Sequence, residues 1–194
     1  MRLRCLMFAL LLLFPGAADA EWQIKPFLGI TFGGSTTFVD AEEAVGKPNG
    51  VFGATVVLLG NVLGVDGDVG TAPGFFQAGK EVVISSRVTT LTGNVVVAVP
   101  KRMAEYALRP YFVGGMGLMH VKNEGRQGAL PVLRTLPAVD IGGGATGFLN
   151  ERVGLNWEVR YFHSLGGDTR GNSFLPERLS FWRASMAVTF RYGK

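Results

Sequence analysis

Cysteine is nearly missing from this sequence: the single one, Cys5, lies close to the N-terminus. A secreted chain without disulfides must be held by a large core, by a metal or by a membrane. Histidine is scarce too, with only His120 and His163 among 194 residues. They lie far apart and no carboxylate cluster flanks either, so the pattern matches a metal site poorly. Long apolar runs are absent past residue 20. No stretch approaches about eighteen such residues without a polar break, which argues against a transmembrane helix. Strong charge is lacking as well: a net +4 is mild and spread out, and does not point to nucleic acid.

What is present begins with the first twenty residues, read as a secretory signal. Arg2 and Arg4 give a basic start, Leu6 to Phe14 is apolar, Pro15 and Gly16 break the run, and "ADA" (Ala18–Ala20) supplies small residues for cleavage before Glu21. Its loss removes Arg2, Arg4 and Asp19, which turns 19 basic and 15 acidic residues into 17 and 14. The expected organisation is a cleaved signal over 1–20 and one domain over 21–194.

The stretch "VGLNWEVRYF" sets the reading of that domain. Val153, Leu155, Trp157, Val159 and Tyr161 alternate with Gly154, Asn156, Glu158, Arg160 and Phe162. Period two means a β-strand with two unlike faces. Eight such segments can be marked, roughly Trp22–Phe32, Gly50–Leu59, Leu63–Ala72, Arg87–Val99, Arg109–Lys122, Ala138–Leu149, Val153–Phe162 and Ser180–Tyr192. Each has the length a tilted strand needs to cross an apolar slab.

The connections sort by length. "GNV", "PKRMAEYALR" and "NER" are the short ones, the second with a possible helical turn after Pro100. The other four are longer and would all emerge at the opposite end. Outer-membrane barrels have this asymmetry, whereas the loops of a lipocalin-like barrel need not sort this way. In such a barrel the apolar faces meet lipid and the polar faces line the lumen. The polar faces then carry Lys25, Asp66, Asp68, Asp140, Glu158, Arg160, Arg183 and Arg191, four acids against four bases. That balance suits a closed, ion-paired interior, since an unpartnered buried charge is costly. A soluble β-protein with these charges outside shows the same alternation on any one strand. Aromatics gather near strand ends, at Trp22, Phe32, Phe75, Phe76, Tyr111, Phe112, Tyr161, Trp182, Phe190 and Tyr192, as two interface girdles would require.

Four blocks carry a resemblance: "LGVDGDVGTAPGFF", "LRPYFVGGMGLMHV", "VDIGGGATGFLNERVGLNWEVRYFHSL" and "FWRASMAVTFRY". In their order and spacing the chain resembles the small eight-stranded outer-membrane β-barrels, the superfamily around OmpA, OmpW and Opacity-type proteins. The resemblance implies an all-β, eight-stranded antiparallel up-and-down transmembrane barrel in the cell outer membrane. It implies insertion by the outer-membrane assembly machinery, which reads an aromatic-ended last strand, here Phe190 and Tyr192. The surroundings would be membrane lipid and lipopolysaccharide, and the protein is expected to be a monomer with no cofactor. The function expected is structural or loop-displaying, without enzymatic activity.

Two other readings stay open. A narrow channel for small hydrophobic molecules, as in the OmpW branch, is favoured by Phe27, Phe148 and Phe162 on the nominal inner faces. A lipid A deacylase would use a late His and Ser, and "FHSLGGD" offers His163, Ser164 and Asp168. A serine nucleophile needs its base within hydrogen-bond reach. Adjacent strand residues point to opposite faces, so His163 and Ser164 diverge unless a bulge intervenes. The runs "GGMG" and "GGGATG" lack the following helix or Lys-Ser/Thr of a phosphate loop, and read as room for bending strands.

Overall fold

A computed structural model describes residues 20–36, 48–75, 83–104, 108–125, 132–166 and 178–192. The signal assigned to residues 1–20 therefore lies outside the described residues except for Ala20, as do Phe76 and Asp168.

Eight strands follow in chain order: β1 (Glu21–Thr36), β2 (Asn49–Leu59), β3 (Leu63–Pro73), β4 (Val83–Ala98), β5 (Leu108–Gly125), β6 (Val132–Phe148), β7 (Val153–Ser164) and β8 (Leu179–Tyr192). Each pairs antiparallel with its sequence neighbours, and β8 returns to β1 to close the barrel. Closure leaves no open edge along the wall, as a strand assembly in hydrocarbon requires.

Local chemistry makes the tight turns. At the β2–β3 turn the Gly60 amide donates to the Leu63 carbonyl at 2.9 Å. Asn150 caps the β6–β7 turn, its Oδ1 accepting from the amides of Arg152 (2.9 Å) and Val153 (2.8 Å). The β4–β5 connection contains the single helical turn expected after Pro100, over Lys101–Met103.

The strand centres match the sequence reading and the loop ends do not. β5 runs to Gly125, β6 starts at Val132 instead of Ala138, and β4 starts at Val83 instead of Arg87. Beyond the apolar belt neither face of a strand need be apolar, so the alternation that marks it fades. The β6–β7 ladder begins just after Pro137, at Ala138, while the ladder to β5 continues to Val132. At the turn end, Leu149 and Val99 fall outside the strands.

Hydropathy is inverted relative to a soluble fold. In β7, Asn156, Glu158 and Arg160 are 4%, 7% and 0% exposed, while Trp157 and Val159 are 43% and 42% exposed. The same inversion runs around the wall: Leu28, Phe52, Leu91, Phe112, Met116, Ile141 and Met186 are all outward and exposed. On β5 this outward apolar face runs from Leu108 to Leu118. At about 3.3 Å per residue and a tilt near 40°, that height is roughly 25 Å, the belt of an outer-membrane barrel. Trp22, Phe112, Phe190 and Tyr192 lie toward its turn end, Tyr161 and Trp182 toward its loop end. Phe75 and Tyr111, two of the residues expected in these girdles, are instead buried inside.

Candidate functional site

The lumen is where this sequence concentrates its chemistry, and it is filled in layers. Alternation turns Lys25, Asp66, Asp68, Asp140, Glu158, Arg160 and Arg183 inward, and all seven are buried. They come from β1, β3, β6, β7 and β8, so several of them meet across the lumen and across long stretches of sequence.

Arg160 is the centre. Its Nε donates to Glu158 Oε1 at 2.6 Å, Nη1 to Asp140 Oδ2 at 3.2 Å, and Nη2 to Asp66 Oδ2 at 2.9 Å. Arg183 binds Asp68 with both ends of its fork, at 2.8 and 2.9 Å, and reaches Glu158 Oε1 at 3.3 Å. Such bidentate pairs are the geometrically specific ones. Neutral groups add donors to three of the carboxylates: Asn94 Nδ2 donates to Asp66 Oδ1 at 2.6 Å, Thr55 Oγ1 to Asp68 at 2.8 Å, and the Tyr111 hydroxyl to Glu158 Oε2 at 2.8 Å. Lys25 has no carboxylate within 4 Å among the described residues. It donates to Thr146 Oγ1 and Asn156 Oδ1, each at 3.3 Å, and sits over the Tyr111 ring.

Arg191 does not join this cluster. It lies at the turn-end rim, where Nη1 meets Glu21 Oε2 at 3.4 Å and Nε donates to the Glu151 carbonyl at 2.7 Å. Arg109 reaches the same Glu21 at 3.4 Å. The other donors of Arg109 tie the β2–β3 turn, through the carbonyls of Gly60 and Asn61, to the Val99 carbonyl beyond β4. The expected set of four acids and four bases thus divides. A mid-lumen group holds Asp66, Asp68, Asp140 and Glu158 against Lys25, Arg160 and Arg183, and a rim group holds Glu21 against Arg109 and Arg191. Five acids face five bases once Glu21 and Arg109 are counted. Both lay outside the sequence reading because they fall on the first residues of their strands, where few alternations precede them to set a face.

Above the charges, toward the loops, the interior carries an apolar cluster that includes Phe27, Phe75, Met119, Val121, Phe162, Leu179 and Phe181. Phe27 and Phe162, the inner-face aromatics expected of a channel, pack on a charge. They flank the Arg183 guanidinium at 4.5 and 5.0 Å from their ring centres. Phe148 likewise carries Arg191 at 4.0 Å. Glycines supply the space this filling needs. A Cβ at Gly70 would stand 2.9 Å from Arg183 Nη1, and one at Gly144 would stand 2.8 Å from the Tyr111 hydroxyl.

Neither histidine is among the buried lumen residues. His163 faces outward and stacks on Tyr161, with ring centres 6.3 Å apart. Ser164 is buried, and its Oγ accepts the Leu179 amide at 2.8 Å. The β7–β8 ladder keeps an even register to His163, with no bulge to bring the two side chains together. His120 faces outward beside Thr135. Among the described residues, no group of three or more His, Cys, Asp or Glu is arranged to hold a metal.

No protein-family model and no curated protein matches the sequence. Solved structures do match its shape. Neisserial surface protein A is similar with a TM-score of 0.62 and 11% identity, over 90% of this chain and 99% of that one. The outer membrane protein OprG from Pseudomonas aeruginosa gives 0.57 and 14%, over 91% and 97%. The N-terminal β-barrel domain of Pseudomonas aeruginosa OprF gives 0.56 and 14%, over 90% and 98%. Identities this low carry the architecture and nothing finer: the chain has the fold of the small eight-stranded outer-membrane β-barrels.

Proposed function

We propose that the protein is a structural, loop-displaying barrel of the outer membrane, without enzymatic activity and without a solute path. The filled lumen carries this reading. An eight-stranded barrel leaves room for side chains and little more, and here that room holds Arg160, Arg183 and their carboxylates, with an aromatic layer above them. The apolar belt is the surface that membrane lipid would cover. A monomer needs no further partner to complete this wall, because β1 and β8 already close it. Export through the twenty-residue signal and recognition of Phe190 and Tyr192 by the assembly machinery complete the proposal. Both aromatics lie on the outward face of the last strand, where an assembly factor in the membrane would meet them.

Planar bilayers test the reading. Folded protein should give no steady conductance above that of the bare bilayer, and its gel mobility should change on boiling, as expected for a closed barrel that unfolds only when heated. Steady open channels of large conductance would overturn the filled lumen and favour the channel for small hydrophobic molecules.

A further inference from the structure

Two cations lie directly across a ladder on the outer wall. Arg87 of β4 is paired in register with Lys122 of β5, and both follow inward, buried residues, Ser86 and Val121. Like charges placed opposite one another in a sheet oppose the pairing. Among the described strand residues, these are the lysine and arginine that face outward.

Their height along the barrel is fixed by the rows beneath. Two outward rows toward the membrane centre, Val69, Leu91, Leu118 and Pro137 are in mutual register and outward, and they belong to the apolar belt. The outward row between is polar: Thr71, Thr89, His120 and Thr135. Thr71 and Thr89 touch through their hydroxyls at 3.3 Å, and His120 Nδ1 lies 3.0 Å from Thr135 Oγ1. Arg87 and Lys122 cap that row. Two cations over a shelf of hydroxyls, two outward rows beyond the apolar belt at the loop end, face the level of lipid headgroups.

We propose that Arg87 and Lys122, with Thr89, His120 and Thr135 below them, form a binding site for a phosphate of lipid A, the phosphorylated glycolipid of the outer leaflet. The guanidinium presents a planar fork suited to phosphate oxygens and the ammonium adds a point charge. The hydroxyl row is placed to meet the sugar ring to which that phosphate is attached. The site rests on the outer-membrane reading above, since it needs the loop end to lie in the lipid A leaflet.

The chain from Glu21 onward has no cysteine, so one reporter can be introduced. Gly93 lies on the outward face of β4, where an added Cβ meets nothing within 4 Å. Protein carrying Gly93→Cys with a fluorescent donor is folded into phosphatidylcholine vesicles. The vesicles contain a small fraction of acceptor-labelled lipid A, either bisphosphorylated or dephosphorylated. Bisphosphorylated lipid A should be enriched around the reporter and the dephosphorylated form should not. Arg87→Gln with Lys122→Gln should lose about a fivefold factor for each cation removed. The pair Arg102→Gln and Arg152→Gln, at exposed turn-end positions, should lose nothing. Equal enrichment in wild type and the double variant, or enrichment blind to phosphate, overturns the site. A boiling-dependent gel shift in the same samples separates the two failures: with it, only the site falls, and without it the membrane reading falls too.

Discussion

Arg160→Met should destabilise the barrel by about 3–5 kcal/mol, the range for removing one partner from a buried ion cluster. The arginine is fully buried and bridges Asp66, Asp140 and Glu158. Methionine fills much of the same space and withdraws the charge, so three carboxylates lose a partner at once. Glu158 keeps Arg183 and the Tyr111 hydroxyl. Asp140 has no other ion pair among the described residues. Adding Asp66→Asn and Asp140→Asn to Arg160→Met should therefore recover most of the loss, because the stranded charges leave with the arginine. Urea unfolding in vesicles, followed by tryptophan fluorescence, measures both variants. A loss below about 1 kcal/mol for Arg160→Met, the scale of a solvated pair, would mean that the lumen is wet and the cluster energetically idle.

On the outer wall, Val159→Arg should cost about 2–4 kcal/mol if the residue lies near the membrane midplane, and less toward an interface. Val159 pairs with Gly143 on one side and Ala184 on the other, so no bulky neighbour shelters a charge placed there. Asn156→Asp, on the inner face, should cost less, since Lys25 already donates to that side chain. Stability alone does not separate lipid from a protein core, because both reject arginine. Single cysteines do. Labelled at 157 or 159, they should be quenched by a quencher carried in the bilayer, and at 156 or 158 they should escape it. If all four ignore the quencher, the exposed apolar wall does not face a membrane.

Much of this was legible in the sequence, for a definite reason. Period-two alternation fixes which side of a strand each residue faces, and it placed Lys25, Asp66, Asp68, Asp140, Glu158, Arg160 and Arg183 inside. Alternation does not fix height along the barrel. Arg191 has the right parity but sits near the end of β8, so it meets Glu21 and not the central cluster. Tyr111 and Phe112 are adjacent aromatics near a strand end. Proximity to that end assigned both to a girdle, yet only Phe112 is outward and Tyr111 holds Glu158 from within. Partners were the least legible element. Arg160 meets Asp66 across 94 positions and Arg183 meets Asp68 across 115. Those distances close only when strand registers add up around the whole circumference. The outward pair Arg87 and Lys122 was hidden for a related reason: each marked the edge of a strand-like segment, and nothing local shows that two edges face each other.

The lumen charges also bear on how the barrel finds its correct closure. β8 meets β1 with Arg183 opposite Thr31 and Trp182 opposite Phe32. A slip of one residue in a two-faced sheet exchanges its faces, turning Arg183 and Arg191 toward hydrocarbon and leaving Asp68 without its fork. A slip of two keeps the faces but moves the guanidinium about 7 Å along the strand, out of reach of both Asp68 oxygens. An inner wall of small neutral residues would tolerate several such closures at similar energy. Here each wrong closure strands buried charge, while the right one gives every central carboxylate an arginine. The ion pairs thus act as a proofreading code for the final seam, making its alignment all-or-none.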